Sequence, residues 1–397
     1  MKQPVGGVER DGAATITARP LACVMGDMEL IRPLGLAGIR CAAVAPAGDP
    51  VRFSRFTKAV VDSASDWTQE DTLVERLVAF GRECPESPIL FYETDRDSLL
   101  ISRNRERLEQ AFRFVIPDAT LVEDLLDKAR FQGLAERLSL PVPPSHHLSP
   151  TSSSPPELDF PVMVKPLIRH YELWSPVAGD AKALRVDSAK ALSALWPRFA
   201  SLGLELVAQE YISGPESRVE SYHVYVDHGG ETVAEFTGRK IRTYPTEYGH
   251  STALVTTSSQ DVLDLGRELT AALDLRGVAK LDFKRGPDDR LHLLEVNPRF
   301  SLWHHLGALA GINIPALVYA DLVTLPRPQV GRARAGVRWS RPWLDFLSAR
   351  QAGVPAWRWL RWTVGSETKS LISLDDPLPL LRGKIWGSLV RRLPPKR

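Results

Sequence analysis

Two carboxylates and one amide occupy neighbouring apolar segments, and together they could bind a divalent cation. Glu295 and Asn297 lie two residues apart in the apolar segment 291–297, and Asp282 lies in the segment before it. The sequence Gly-Pro-Asp-Asp between the two segments favours a turn, so we predict a β-hairpin. If four residues form the turn, Asp282 lies opposite Leu293 and shares a face with Glu295 and Asn297.

The residue that follows this hairpin adds a positive charge to the same site. Oxygen ligands suit Mg²⁺, which binds through one or two carboxylates and the phosphates of a substrate, and Mn²⁺ accepts similar ligands. Arg299 follows closely enough to pair with a phosphoryl oxygen. The alternative is a hairpin whose polar residues face water, but the segment 291–296 is too apolar for a fully exposed strand. A one-residue shift in register would move Asp282 to the other face.

Two further segments offer groups that could bind a nucleotide. Lys165 ends the apolar strand predicted at 160–165, where a buried ammonium group requires an anionic partner. The alternative is a lysine that extends to solvent. The strand predicted at 204–212 precedes a Gly-Pro turn, where free backbone groups could contact an adenine edge and Glu216 could reach a ribose. On its own this second pattern is more typical of an ordinary strand and turn.

Length and composition describe an ordinary globular chain of two or three domains. The chain has 397 residues, 44% of them hydrophobic, and a formal net charge of +2, so its overall charge indicates no strongly acidic or basic partner. Its three cysteines lie far apart, which favours a reducing compartment over a disulfide framework. The first twenty residues lack the apolar core of a signal peptide, and no apolar run is long enough to span a membrane. We therefore expect a cytoplasmic protein.

Strand and helix patterns alternate in the first part of the chain, which predicts a parallel sheet with right-handed crossovers. The pattern comprises strands near 21–25, 38–44, 60–61 and 88–92 and a helix near 72–82. The glycine pattern of a dinucleotide site is missing, so we expect a structural scaffold. The alternative is a contribution to substrate binding from Tyr92, Thr94 and Asp95 at the end of the fourth strand. Further along, the sequence predicts one helix at 122–138 and a second hairpin at 218–237.

The last 67 residues differ in composition from the rest of the chain. From 331 to 397 there are 14 Lys and Arg against 4 Asp and Glu, and six of the ten tryptophans. This shift predicts a separate unit. Its Trp and Arg residues favour helices packed on the rest of the protein, and the alternative is a weak contact with a membrane surface. We expect no nucleic-acid partner, because no reader motif is present.

Together and in this order, these segments resemble the ATP-grasp superfamily over about residues 20–325. The resemblance assigns nucleotide contacts to Lys128 and Lys165, an adenine hinge to Gln209, Glu210, Tyr211 and Ile212, and a ribose contact to Glu216. It also assigns the metal ligands to Asp282, Glu295 and Asn297, and a phosphate contact to Arg299.

Within that superfamily the chain looks most like the predicted carboxylate–amine ligases related to D-aspartate ligase. The stretches that carry this similarity are 182–188, 238–245 and 297–303. In the second stretch, Arg239, Lys240 and Arg242 are expected beside the phosphates, where they could hold a substrate carboxylate or the γ-phosphate. The alternative is a basic strand edge that discourages aggregation.

The resemblance implies a multidomain fold that combines α/β and α+β parts. The expected parts are a flexible leader at 1–18, a parallel-sheet pre-ATP-grasp domain at 19–121, a two-lobed ATP-grasp domain with antiparallel sheets at 122–328, and a helical extension at 329–397. Within the ATP-grasp domain, the nucleotide lobe with its lid covers about 160–212 and the metal-site lobe about 213–328.

The implied activity is ATP-dependent joining of a carboxylate to an amine, as an amide or peptide bond, through an acyl phosphate with release of ADP and phosphate. Many relatives cover the phosphates with a glycine-rich lid, but the segment 166–180 has a single glycine. That lid must then act through Arg169, His170 or Lys182. A catalytically weak regulatory module, an ATP-grasp kinase and a thioester-forming ligase are therefore alternatives, and a homodimer is open.

Overall fold

The first domain contains the parallel sheet that the sequence predicts. The computed structural model describes residues 19–63, 70–150, 154–167, 171–179 and 181–386, so the predicted leader lies outside the described residues. The sheet order is β3-β2-β1-β4, and every pairing is parallel. Its strands are β1 (Ala22–Met25), β2 (Cys41–Ala45), β3 (Thr57–Asp62) and β4 (Ile89–Tyr92). The helices between and after them are α1 (Met28–Leu36), α2 (Glu70–Glu83) and α3 (Asp95–Arg103).

Three short helices lead from this sheet to the rest of the chain: α4 (Arg105–Glu109), α5 (Ala119–Leu126) and α6 (Lys128–Arg137). The single helix predicted at 122–138 is therefore wrong. Asp127 interrupts it with an extended backbone, and its carboxylate accepts hydrogen bonds from the N–H groups of Ala129 and Arg130. This N-cap begins a new helix, which places Lys128 in its first turn.

A second sheet has four antiparallel strands in the order β5-β8-β6-β7. The strands are β5 (Ser145–Leu148), β6 (Val162–Pro166), β7 (Leu184–Val186) and β8 (Leu206–Glu210). The helices α7 (Tyr171–Ala178) and α8 (Ala189–Leu202) complete this lobe. Trp174 of α7 stacks on Phe199 of α8, with ring centroids 6.3 Å apart, so α7 is anchored in the core of the lobe.

The largest sheet has six antiparallel strands in the order β13-β12-β9-β10-β11-β14. Its strands are β9 (Val219–Val226), β10 (Thr232–Tyr244), β11 (His250–Thr257), β12 (Gly277–Arg285), β13 (Leu291–Asn297) and β14 (Arg338–Ser340). The helices that follow in chain order are α9 (Gln260–Ala272), α10 (His304–Leu309), α11 (Ile314–Leu322), α12 (Pro342–Gln351) and α13 (Ala356–Val364). Wider helical turns follow at Pro379–Trp386.

One hydrophobic core joins the first domain to the six-stranded sheet. Phe300, just after β13, contacts the rings of Phe91 and Tyr92 at the end of β4, with centroids 5.1 and 5.9 Å apart. Because these rings are fully buried, the carboxyl end of the parallel sheet is held against the end of the β12–β13 hairpin.

The C-terminal region is part of this fold, which corrects the prediction of a separate unit. Strand β14 completes the six-stranded sheet by pairing with β11. Arg32 of α1 donates hydrogen bonds to the carbonyl groups of Ser370 and Leu371. Asp376 accepts from the hydroxyl of Ser54 at 2.8 Å. The region therefore links the large sheet to the first domain. No helix among the described residues is both long and apolar enough to cross a membrane.

A buried ion pair fastens α12 to strand β10, and its removal tests this arrangement. Asp345 is fully buried and accepts two hydrogen bonds of 2.7 Å from Arg242. Replacing Arg242 with Met leaves a buried carboxylate with Thr252 as its one remaining side-chain donor among the residues that the structure describes. We expect Arg242→Met to lower the free energy of unfolding by ~3–5 kcal/mol, measured by urea denaturation. Arg267→Met, which removes a half-exposed partner of Glu235, should cost less than ~1 kcal/mol. Equal losses in the two variants would contradict the assigned role of the buried pair.

Candidate active site

The β12–β13 hairpin brings Asp282 and Glu295 directly opposite each other. The predicted register is wrong, because the turn is longer than four residues: Arg285 pairs with Leu291, and Phe283 rather than Asp282 faces Leu293. An extra residue in β13 then forms a β-bulge between these pairs. The bulge returns Glu295 to the face of Asp282, so both carboxylates lie on one side of the sheet.

Asp282 is a buried carboxylate whose oxygens retain free lone pairs. It is 1% exposed, and neither oxygen accepts a hydrogen bond from any residue that the structure describes. Lys280 Nζ lies 2.7 Å and Lys240 Nζ 3.6 Å from its Oδ2 atom, at ion-pair distance but without hydrogen-bond geometry. Buried carboxylates normally have full sets of donors. Two incompletely satisfied oxygens therefore fit the coordination of a divalent cation.

Asn297 completes the oxygen donors on this face. Its Nδ2 group donates to Glu295 Oε1 at 3.3 Å, and its Oδ1 atom accepts from Arg299 at 3.0 Å. An amide oxygen has a second lone pair that could face a cation. In the described part of the chain, no group of three or more His, Cys, Asp or Glu side chains is placed to hold a metal ion. A metal site here would consist of two carboxylates, one amide and substrate phosphates.

Lysines surround the two carboxylates and set their charge. Desolvation by the surrounding protein acts to raise the pKa of Glu295. The positive charges of Lys280, Lys182 and Lys240 outweigh this effect and hold the pKa well below its usual range. Burial acts to lower the pKa of Lys240, and the carboxylates of Asp282 and Glu295 reverse this effect and raise it. The site therefore keeps Glu295 ionised and Lys240 protonated, next to a surplus of positive charge suited to a polyphosphate.

Lys165 lies within this same electrostatic environment, at the end of β6. Burial lowers the pKa of its ammonium group, the charge of Glu295 opposes the shift, and Lys240 adds to it. Its Nζ donates to Gln209 Oε1 at 2.9 Å. Lys128 reaches the same region, because its Nζ donates to the carbonyl of Leu167, next to β6, at 2.8 Å. The structure therefore brings both predicted nucleotide lysines to the β6 end of the second sheet.

The hinge after β8 has carbonyl groups that the sheet cannot satisfy. The N–H of Glu210 donates to the carbonyl of Pro144 at 2.8 Å, and the N–H of Tyr211 donates to the carbonyl of Pro161 at 3.2 Å. In an antiparallel ladder such residues normally exchange two hydrogen bonds. Proline has no N–H to return, so neither proline can donate to the carbonyl of Glu210 or Tyr211. The two carbonyl groups that precede Ile212 therefore lack these ladder donors and could accept from a planar ligand with hydrogen-bond donors.

A turn held by a lysine carries Glu216 toward the same cleft. Lys284 Nζ donates to the carbonyl groups of Gly214 and Pro215, both at 2.8 Å. Glu216 follows directly and begins a short helical turn. Its charge acts to raise the pKa values of Lys240 and Lys284, as expected for a carboxylate near both lysines.

The lid segment contains a helix, in agreement with the expectation that it forms no glycine-rich loop. Helix α7 fills this segment, and the indole N–H of Trp174 donates to the carbonyl of Ala181 at 2.9 Å. The N–H of Lys182 donates to the carbonyl of Tyr248 in the β10–β11 connection at 3.0 Å. Arg169 and His170 lie outside the described residues. Of the three predicted lid residues, Lys182 is therefore the one whose position the structure gives.

Strand β10 places the three side chains of the predicted basic cluster, Arg239, Lys240 and Arg242, in different surroundings. Only Lys240 reaches the carboxylate site. Arg239 pairs across the ladder with Glu220, on the face opposite Lys240, because strand side chains alternate. A bulge between 240 and 242 shifts the register, and Arg242 binds Asp345 instead. The alternative of a protective strand edge is also wrong, since β10 is an internal strand.

The end of β4 contributes a contact from the first domain. Asp95 forms an ion pair with Nε of Arg299. The Nη2 group of the same arginine donates to Asn297 Oδ1. Tyr92 is instead a core residue whose hydroxyl donates to the carbonyl of Val115, and Thr94 caps helix α3. Of these three candidates, Asp95 lies next to the site.

Sequence analysis missed two lysines, Lys280 and Lys284, that the site uses. Both share the face of Asp282 because they lie two residues before and after it in β12. The alternation of side chains along β12 was the sequence signal that could have identified these two lysines.

Comparisons with known proteins agree with this geometry. A family model described as ATP-grasp in the biosynthetic pathway with Ter operon matches residues 204–341. A D-aspartate ligase of Enterococcus faecium is 23% identical over 293 residues, which is 70% of each chain. A D-alanine–D-alanine ligase of Pseudomonas putida is 26% identical over 218 residues, 50% of this chain and 63% of the relative.

Solved structures share the fold. An L-amino acid ligase from Bacillus licheniformis has a TM-score of 0.60 at 14% identity and covers 78% of this chain and 75% of its own. A carboxyaminoimidazole ribonucleotide synthase from Aspergillus clavatus, complexed with ATP, has a TM-score of 0.59 at 15% identity and covers 80% of each chain. The predicted combination of a parallel sheet with antiparallel ATP-grasp sheets is confirmed. By these likenesses the chain is a relative of the ATP-grasp carboxylate–amine ligases.

Proposed function

We propose that the protein is an ATP-dependent ligase that joins a carboxylate to an amine through an acyl phosphate, releasing ADP and phosphate. The observation that carries the proposal is the pair of opposed carboxylates, Asp282 and Glu295, in a ring of lysines. The names of the relatives, D-aspartate ligase and D-alanine–D-alanine ligase, support substrates of amino-acid type.

ATP would bind along the edge that runs from the β8 hinge to the hairpin. The carbonyl of Glu210 would accept from the adenine amino group, and the N–H of Ile212 would donate to the ring. Gln209 and Tyr211 would flank the base, and Glu216 would contact the ribose. The phosphates would lie among Lys128 of α6, Lys165 of β6 and Lys182 of the lid, because a polyphosphate needs several cations in a partly buried site.

Asp282, Glu295 and Asn297 would hold Mg²⁺, and the same oxygen ligands would accept Mn²⁺. When bound, the metal neutralises charge on the phosphates and aligns them. Lys280 is paired with Asp282 in this structure. A lysine beside a metal carboxylate can move to a phosphate oxygen once the cation compensates the carboxylate.

The chemistry needs positioning and charge stabilisation more than covalent participation by the protein. The substrate carboxylate attacks the γ-phosphorus of ATP, and ADP leaves. Arg299 and Lys240 lie on either side of the carboxylates and would stabilise the negative charge that develops on the transferred group. The amine then attacks the acyl carbon, phosphate leaves, and the amine loses a proton to give the amide.

A nucleotide-binding module without ligase activity is the second candidate, because helix α7 replaces a glycine-rich lid. The two candidates differ in turnover. A ligase turns over ATP continuously when a carboxylate and an amine are both present, and a binding module does not. Phosphate release should therefore be screened across pairs of acids and amines before variants are compared.

Removing one opposed carboxylate tests the metal site. With a confirmed substrate pair, we expect Glu295→Ala to lower kcat by ~100-fold or more, because phosphate charge is no longer neutralised. Glu268→Ala removes an exposed glutamate of helix α9 and should leave ADP release unchanged. Wild-type turnover in Glu295→Ala would rule out a role for this carboxylate in metal binding.

Adding one N–H group at the hinge tests the adenine site. Pro144→Ala supplies a donor opposite Glu210, so the sheet can take the carbonyl that adenine would use. We expect the Kd for ATP, measured by calorimetry, to rise roughly fivefold to tenfold, the value of one net hydrogen bond. Pro328→Ala, in an exposed segment, is the matched control. An unchanged Kd for Pro144→Ala would show that adenine binds elsewhere.

A further inference from the structure

Helix α13 exposes apolar side chains that the fold leaves uncovered. Trp357, Leu360 and Val364 are 61%, 54% and 69% exposed. Their spacing of three and four residues places them within an arc of roughly 60° on the helix, at about 100° per residue. Single exposed apolar residues are common, but a continuous stripe on one short helix is not.

Side chains on the opposite side of α13 pack against other parts of the protein. Trp359 contacts Phe346 of α12, with ring centroids 5.1 Å apart. Arg242 and Arg338 lie over the ring of Trp362, at 5.3 and 4.9 Å from its centroid. The prediction that Arg and Trp residues pack helices on the body therefore accounts for this inner face. It does not account for the outer stripe.

A second exposed tryptophan extends the outer surface to α12. Trp343 is 70% exposed, and its ring stacks at 6.3 Å on Phe346, the residue that also contacts Trp359. Trp343 therefore lies beside α13 rather than on a distant part of the protein. We call Trp343, Trp357, Leu360 and Val364, with the arginines between them, the tryptophan face.

The charges on this face have one sign. Residues 346–366 contain Arg350, Arg358 and Arg361 and no Asp or Glu. Arg361 is next to the apolar arc, and the guanidinium group of Arg358 lies over the ring of Trp357, 5.2 Å from its centroid. Among the described residues, no carboxylate forms an ion pair with any of these three arginines. The guanidinium groups thus remain available to an external anion.

We propose that the tryptophan face binds the surface of an anionic membrane. Indole rings prefer the boundary between headgroups and acyl chains, and arginines beside them pair with lipid phosphates. A second copy of the chain fits less well, because a twofold contact would oppose arginines to arginines. The binding is peripheral, since α13 has nine residues and a spanning helix needs roughly 20. This inference is independent of the proposed ligase activity.

Vesicle flotation of the full chain tests the proposal. One set of vesicles contains phosphatidylcholine alone, and the other contains phosphatidylcholine and phosphatidylglycerol in equal parts. We expect binding to the anionic vesicles only, with a blue shift of tryptophan fluorescence and a loss of binding at high salt. Soluble glycerol phosphate should not compete, because the surface and not the free headgroup is recognised.

Paired variants separate the apolar and charged contributions. Arg358→Gln with Arg361→Gln should weaken binding by ~10-fold or more, and Leu360→Ser should weaken it severalfold. The matched controls are Arg137→Gln with Arg290→Gln and Leu36→Ser, which alter equally exposed residues elsewhere. Circular dichroism and thermal unfolding confirm that each variant is folded.

Three results would overturn the proposal. The first is that the wild-type chain does not float with anionic vesicles at low salt. The second is that the α13 variants and the control variants bind equally well. The third is that Leu360→Ser changes only the sedimentation coefficient of the protein without lipid, which would make the tryptophan face a contact between copies or with another protein.

Discussion

Two carboxylates directly opposite each other on a β-ladder repel one another, and much of the surrounding structure compensates for that repulsion. Asp282 and Glu295 occupy such a pair in the β12–β13 hairpin. Lys280 and Lys240 lie at ion-pair distance from Asp282, and Lys182 adds to the charge around Glu295. Lys240 and Lys280 come from two strands of the six-stranded sheet and Lys182 from the segment before β7, so both sheets contribute charge around the pair.

The need to position this hairpin also explains packing contacts that have no direct chemical role. A Cβ atom added to Gly238 would lie 2.2 Å from the ring of Trp303, so the glycine allows that ring to cover strand β10. Phe300, between the hairpin and Trp303, contacts the end of β4. Arg299 meets Asp95 at the same place. The first domain therefore holds the end of the hairpin in position, and the stretches 238–245 and 297–303, notable in the sequence, prove to be neighbours.

Much of this arrangement follows from the sequence because it depends on local alternation. The strands of the first sheet and the hairpin were predictable from apolar runs and a turn. The shared face of Asp282 and Glu295 was predicted from a register that is wrong, and the bulge in β13 restores it. That bulge was not predictable, because an extra residue changes no local propensity. The second bulge, which turns Arg242 away from Lys240, was unpredictable for the same reason. Strand β14 has three residues and pairs with a distant strand, and such pairing depends on tertiary contacts that composition does not reveal.

The central claim is that Asp282, Glu295 and Asn297 form a cation site that is completed by nucleotide. Electron paramagnetic resonance of Mn²⁺, titrated into the protein with a non-hydrolysable ATP analogue, tests this claim most directly. We expect Mn²⁺ to bind in a nucleotide-dependent way, with a spectrum that differs from that of Mn²⁺ with the analogue alone, and we expect this signal to be lost in Asp282→Asn. A spectrum identical to that of Mn²⁺ with the analogue alone, or an unchanged signal in Asp282→Asn, would contradict the claim.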